Sequence, residues 1–316
     1  MELFGRFRLV ERLAAGGMCE VFLVQDPVTP APMVLKRLLP ELEKDKRAME
    51  LFTNEGEIGT ILRHPNIVTV VELGMVERHP YVLMELVDGP DVSDLQAELG
   101  ARQQTINIKL AIYITLQMLD ALSYAHFATR PNGEPLGIIH RDVSPDNLFC
   151  SRAGVVKLAD FGIAKLSAVE FFTDPRLGIR GKMSFMAPER LRGDPLDGRA
   201  DEFSAALVLY ELCTGVRPYG LKPGENIPSL RKRVEKADIP RPRKLLPVMP
   251  RKLESIIMTA LEPDARNRYA TCRDFAMELR ALALKEDLYA GAPELRALIE
   301  KLLPATVSAR RGAVPI

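Results

Sequence analysis

Apolar and polar residues alternate with a period of two over 8–13, 20–25 and 33–37, the spacing of half-buried strands. The period then lengthens. Between 39 and 62, Leu51, Phe52, Ile58, Ile61 and Leu62 fall at helical spacing, which predicts one helix there. Two more strands are predicted at 68–73 and 81–87, and the pair Gly89-Pro90 follows the last of them. Beyond it the helical period dominates. Leu110, Ile114, Met118, Leu119 and Leu122 line one face of a helix over 106–128, and an apolar run after Asp201 reaches Leu212. Arg130-Pro131-Asn132-Gly133-Glu134-Pro135 is a turn-rich insertion after the first of these helices. Near the end, Leu295, Leu298, Ile299, Leu302 and Leu303 share a helix face over 294–303. That helix is expected to dock on the body of the chain, with a partner-binding helix as the alternative. Residues 308–316 read as a flexible tail.

One stretch carries chemistry. His140-Arg141-Asp142-Val143-Ser144-Pro145-Asp146-Asn147 is followed by Asp160-Phe161-Gly162. An Asp and an Asn five residues apart, then a second Asp before a Gly, suit a site that holds metal-bound phosphate beside a hydroxyl. Both motifs resemble signatures of the eukaryotic-type protein kinase family. The resemblance spans roughly 7–284; its details look most like the bacterial Ser/Thr kinases, and Val143-Ser144-Pro145 looks like their myxobacterial branch. It implies an α+β, bilobal protein kinase fold: a small, mainly antiparallel β N-lobe with one helix over 1–87, and a larger, mainly helical C-lobe over 88–284. A helical extension over 285–307 precedes the tail. By the same resemblance, Asp142 takes the hydroxyl proton, while Asn147 and Asp160 hold Mg²⁺, or Mn²⁺ in its place, across the phosphates of ATP.

The remaining parts of such a site can be placed by their motifs. Ala14-Ala15-Gly16-Gly17-Met18-Cys19, flanked by Leu13 and Val21, stands where the family has its glycine-rich phosphate loop. Small residues there let backbone N–H groups approach phosphates closely. Met33-Val34-Leu35-Lys36 is similar to the strand whose lysine grips the α- and β-phosphates, and Phe52-Thr53-Asn54-Glu55 to the helix whose glutamate pairs with it. Glu57 lies about 200° around the helix from Glu55, so it is expected to face solvent. Met84, Glu85 and Val87 match the adenine hinge, where the Glu85 carbonyl and Val87 N–H would meet the base. Ala187-Pro188-Glu189 matches the end of the activation segment, and Asp201 the anchor of the catalytic loop. Arg268 matches the partner of Glu189, with Arg266 near enough to compete. Cys19 suggests a thiol at the loop tip with little cover; the plainer reading is a small residue.

One departure from the family bears on chemistry. Its usual lysine two residues after the catalytic Asp is Ser144 here, and its usual Thr in the last activation-segment motif is Lys182. In the family's fold these positions are neighbours, so Lys182 is expected to deliver the cation from the opposite side, the plainer alternative being a solvated lysine. Tyrosine kinases also lack a lysine at the Ser144 position, which leaves tyrosine or dual specificity as an alternative. Arg141 precedes the catalytic Asp, and Thr173 is the most central hydroxyl of 163–189, which makes it the expected activating phosphosite.

Composition adds limits. The chain has 316 residues, enough for two lobes with real cores, and a net charge of +1 that offers no general attraction to nucleic acid or membranes. No apolar run approaches the ~20 residues of a membrane span, and the start has no signal-peptide pattern. Cys19, Cys150, Cys213 and Cys272 are widely spaced, against a zinc site or disulfide framework and for a reducing, cytoplasmic setting. Three functions compete: an active ATP-dependent Ser/Thr protein kinase that also phosphorylates itself, a pseudokinase scaffold, and a small-molecule phosphotransferase. The intact set Lys36, Glu55, Asp142, Asn147 and Asp160 favours an active enzyme, and the long 163–189 segment favours protein substrates.

Overall fold

The computed structural model describes residues 2–16, 18–29, 31–130, 132–161, 183–220 and 224–303. Its N-terminal part is a six-stranded sheet in the order β1-β2-β3-β4-β6-β5. The strands are β1 (Leu3–Phe4), β2 (Phe7–Gly16), β3 (Cys19–Gln25), β4 (Met33–Leu38), β5 (Val70–Val76) and β6 (His79–Glu85). Every pair is antiparallel. The expected strands are present, but β2 and β3 run further into the glycine-rich stretch than alternation indicated: Gly16 pairs with Cys19.

The expected helix over 39–62 is two elements. Pro40 opens a 3₁₀ turn, Pro40–Leu42, and α1 (Lys46–Ile61) starts afresh at Asp45, whose carboxylate accepts from Arg47 N and Ala48 N. Helical period alone does not register such a cap. α1 lies against β5 and β6 through two glycines. A Cβ at Gly56 would sit 2.6 Å from Leu73 Cδ1, and one at Gly59 would sit 2.6 Å from Val70 Cγ2. Hydrogen alone fits at those positions.

The remainder is mostly helical: α2 (Val92–Ala101), α3 (Ile108–His126), α4 (Pro188–Arg192), α5 (Gly198–Thr214), α6 (Ile227–Glu235), α7 (Arg251–Ala260), α8 (Cys272–Lys285) and α9 (Ala292–Leu302). A small hairpin, β7 (Leu148–Cys150) with β8 (Val156–Leu158), lies at the lobe junction. Asn107 caps α3 by accepting from Leu110 N, and the apolar face expected for this helix is buried in full. α5 is buried on every side from Ala200 to Cys213, which is why its sequence reads as an apolar run rather than a stripe. The insertion after α3 closes on itself through a bridge between Thr129 and Pro135, with Gly133 at φ 86° in the turn.

The partner-binding alternative for the last helix is corrected by the packing. Leu295, Ile299, Leu302 and Leu303 are all buried in the main helical core. Arg102 and Arg152 donate to the carbonyls of Leu302 and Leu303. A Cβ on Gly154 would fall 2.1 Å from the Ala292 carbonyl, so the helix start rests on bare backbone. The apolar face offered by the sequence is consumed within the chain.

Candidate active site

Three charged residues from three elements meet at the lobe junction. Lys36 is on β4, Glu55 on α1, and Asp160 follows β8. The Lys36 Nζ donates to Glu55 Oε1 at 2.8 Å and lies 3.1 Å from Asp160 Oδ1. Burial opposes the lysine's charge, but Asp160 and Glu55 outweigh it and hold the ammonium well above its ordinary range. Glu57 is exposed, as the helical geometry required. Asp160 is held at φ 51°, a left-handed conformation that a non-glycine residue keeps only when its surroundings enforce it.

The second group is the catalytic loop. Asn147, in the 3₁₀ turn Pro145–Asn147, donates through Nδ2 to the Asp142 carbonyl at 2.6 Å and to Asp142 Oδ2 at 3.0 Å. His140 accepts at Nδ1 from Asp142 N at 3.2 Å, so its Nε2 carries the proton and donates to the Ala159 carbonyl at 3.0 Å. One imidazole thus ties the loop of Asp142 to Ala159, the residue before Asp160. Its ring also lies 4.6 Å from that of Phe161.

Asp201, near the start of α5, anchors this loop as expected. Its carboxylate accepts from His140 N at 2.7 Å, Arg141 N at 2.8 Å and His126 Nε2 at 2.8 Å. Burial would raise its pKa, yet the His126 contact and the other donors bring it below the usual carboxylate range. Arg190 completes the anchorage by donating to the Arg141 carbonyl. Burial lowers the Arg190 pKa to about 10, with Asp201 acting in the opposite sense and Arg141 reinforcing the drop. Sequence reasoning passed over Arg190 because its partner is a backbone carbonyl, which no side-chain pattern announces.

An apolar cluster lies beside these groups. Cys19, Val21, Val34, Met84, Val87, Phe149 and Ala159 are buried together, with Leu13, Ala14, Met18 and Leu86 against them. Met84 and Val87 of the expected hinge thus lie in one cluster with Leu13, Ala14, Met18, Cys19 and Val21 of the expected phosphate loop. Val34, Phe149 and Ala159 were not foreseen, although each lies within two residues of a motif residue, Lys36, Asn147 or Asp160. Ala15 pairs with Glu20 across the hairpin; Gly17 lies outside the described residues. Glu85, expected to act only through its backbone, also uses its side chain: Oε1 accepts from Thr69 N and Lys157 Nζ, both at 2.7 Å. That contact couples β6 to β8 across the junction.

The thiol reading of Cys19 is corrected. Cys19 opens β3, pairs with Leu38 and is 8% exposed. Burial pushes its thiol up to about 12, which leaves it a small apolar residue. Glu189 is paired by Arg268, at 2.6 and 2.8 Å in bidentate fashion, while Arg266 holds Asp264 at the surface. Ser144 stands at the start of the 3₁₀ turn with extended backbone and no capping hydrogen bond. Its expected counterpart Lys182, and the phosphosite Thr173, lie outside the described residues.

This geometry agrees with the likeness of the chain to known proteins. The protein kinase domain model matches residues 7–314, and the chain belongs to that family. It is 34% identical over 304 residues to the tyrosine-protein kinase MasK of Myxococcus xanthus, covering 95% of this chain and 46% of that protein. It is 32% identical to a probable serine/threonine-protein kinase PknB of Bifidobacterium longum, covering 87% of this chain and 39% of the relative. The chain thus spans less than half the length of these relatives. The crystal structure of the PknI kinase domain of Mycobacterium tuberculosis is similar, with a TM-score of 0.67 and 27% identity over 89% of this chain and 97% of that one. The family is that of eukaryotic-type bacterial kinases, and the bilobal fold is theirs. No helix among the described residues is long and apolar enough to cross a membrane.

Proposed function

We propose that the chain transfers the γ-phosphoryl group of ATP to Ser or Thr hydroxyls of proteins, itself included. The convergence of Lys36, Glu55 and Asp160 beside Asp142 and Asn147 carries this reading. In it, Asp142 takes the proton from the acceptor hydroxyl as its oxygen bonds to the γ-phosphorus and ADP leaves. Asn147 Nδ2 keeps the Asp142 carboxylate in place, and Glu55 keeps Lys36 directed at the α- and β-phosphates. Val21, Met84 and Phe149 supply the apolar surface for the adenine. The Asp160 carboxylate and the Asn147 amide oxygen are hard oxygen donors of the kind Mg²⁺ takes, and Mn²⁺ also accepts. When bound, the ion supplies charge neutralisation across the phosphates. All the described machinery is present, which speaks against a scaffold without chemistry. The four reduced cysteines are in keeping with a cytoplasmic setting.

The test is incubation with Mg²⁺ and γ-labelled ATP, with mapping of the phosphorylated residues. Lys36→Met and Asp142→Asn are each expected to lose most transfer, about 10²–10⁴-fold for the base, with thermal melts unchanged. Near-normal turnover in both variants would refute the assignment. A tyrosine acceptor is the second reading, supported by Ser144 in place of the family's lysine and by the similarity to a tyrosine-protein kinase. Phosphoamino-acid analysis of the same reaction separates the two.

A further inference from the structure

The C-lobe carries a basic stretch that phosphoryl transfer does not use. Residues 229–252 hold nine Lys or Arg against two Asp or Glu, a net charge of +7 in a chain whose total is +1. In the fold this stretch is most of α6, the loop after it, the 3₁₀ turn Pro242–Lys244 and the start of α7. Part of it faces residues 215–220, which follow α5, across a groove of about 860 Å³. Val216 and Leu245 line the groove and are 46% and 45% exposed.

The cations lining the groove play two parts. Arg217 and Arg233 are fixed in its wall, the first by Glu211 at 3.1 Å and the second by Glu225 at 2.8 Å and the carbonyls of Pro218 and Gly220. Arg241 touches Glu254 only at 3.4 Å, with a side chain 65% exposed. Lys244 is exposed and makes no ion pair among the described residues. These two long cations reach solvent against one exposed carboxylate of the lining, Asp238, and beside two uncovered aliphatic side chains, which matches a segment with carboxylates around an apolar residue. Lys232 on α6, Lys236 just after it and Arg251 at the start of α7 are all exposed and extend the positive field.

The groove is also joined to the site. The Arg217 guanidinium lies 5.0 Å above the Phe185 ring, and Ser184 Oγ donates to the Tyr219 carbonyl at 3.3 Å. Both contacts reach the 3₁₀ turn Met183–Phe185, one residue short of Ala187-Pro188-Glu189. The groove wall and the end of the activation segment are thus one packed unit.

We propose that this groove docks an acidic segment of the protein substrate, anchored by an apolar residue between Val216 and Leu245. The identity of the occupant as a substrate rests on the kinase reading; the binding of an acidic segment does not, and the test keeps them apart. The probe is a fluorescein-labelled twelve-residue peptide of Glu and Asp around one Leu, titrated with the full chain without nucleotide and monitored by anisotropy. The expected result is saturable binding that weakens with salt and falls at least tenfold in Arg241→Glu/Lys244→Glu, with Arg241→Gln/Lys244→Gln between the two. Equal binding by the charge-reversed protein, equal binding of a Gln-substituted peptide, or preferential binding of single-stranded RNA or phosphatidylglycerol vesicles overturns the proposal. In the second arm, an acceptor peptide with and without the acidic extension is phosphorylated by both proteins. The extension is expected to lower KM about tenfold for the unaltered chain only, with kcat unchanged. An unchanged KM overturns the substrate role. Absence of any transfer refutes the kinase reading while the anisotropy result stands.

Discussion

Gly59→Ala should separate the positioning of the active site from the stability of the fold. A Cβ at Gly59 falls 2.6 Å from Val70 Cγ2 and 3.2 Å from Val70 Cβ. Ordinary carbon–carbon contact is about 3.5–4.0 Å, so roughly 1 Å must open between α1 and β5. Val70 is β-branched and held in a strand, and its Cβ is itself too close, so rotating χ1 does not relieve the overlap. The helix has to move. Glu55 lies one turn earlier on the same face, and its contact to Lys36 starts at 2.8 Å. A shift of about 1 Å takes that hydrogen bond past its useful range. Stability changes little in comparison: overpacking costs about 1–3 kcal/mol, and replacing a helical glycine returns about 1 kcal/mol. Misplacement on this scale costs catalysis on the order of 10²-fold. Initial rates over a range of ATP concentrations, with a thermal melt of each protein, measure both effects. The expected result is a fall in kcat/KM of about 10–10²-fold with a melt displaced by only a few degrees. Gly56→Ala should do less, because its Cβ would meet side-chain tips, Leu73 Cδ1 at 2.6 Å and Val82 Cγ2 at 2.9 Å, rather than a Cβ fixed to a strand. Wild-type turnover in Gly59→Ala would show that Val70 yields instead and that the glycine does not set the helix.

Other consequences can be measured on the same protein. Lys182→Thr alone should cut turnover by about 10²-fold and Ser144→Lys alone should also harm it, while the double change recovers much of the loss; additive losses refute a shared cation role. Arg268→Ala strands the buried Glu189 carboxylate and should cost about 3–5 kcal/mol, read as a lower denaturation midpoint; a midpoint within error of the unaltered chain refutes the pairing. Glu202 is wholly buried, and burial raises its pKa to about 8 from the ordinary 4.5, against the backbone hydrogen bond from Tyr269. The folded state therefore keeps a proton that the unfolded chain releases, and stability should fall as pH rises from about 4.5 to 8. Glu202→Gln should flatten that slope in melts across the window, and an unaltered slope would assign it to another group.

Spacing along the chain determined most of what is local in this protein. The strand alternation, the buried face of α3 and the motifs holding Lys36, Glu55, Asp142, Asn147 and Asp160 could be read directly, because side-chain period and motif order are properties of the sequence. Helix geometry allowed only one of Glu55 and Glu57 to face Lys36, and the motif register at Phe52 chose Glu55. Tertiary structure decided what depends on neighbours distant in the chain. Only packing shows that α9 spends its apolar face on the main core, or that Arg268 rather than Arg266 reaches Glu189. Amphipathic spacing describes one surface and is silent about its partner. Burial turned Cys19 from a candidate thiol into core. Arg190 gained its place through a backbone carbonyl, and Gly56 and Gly59 through the absence of a side chain; neither leaves a mark in sequence pattern. A contact made by a carbonyl or by a missing Cβ exists only once two segments are brought together.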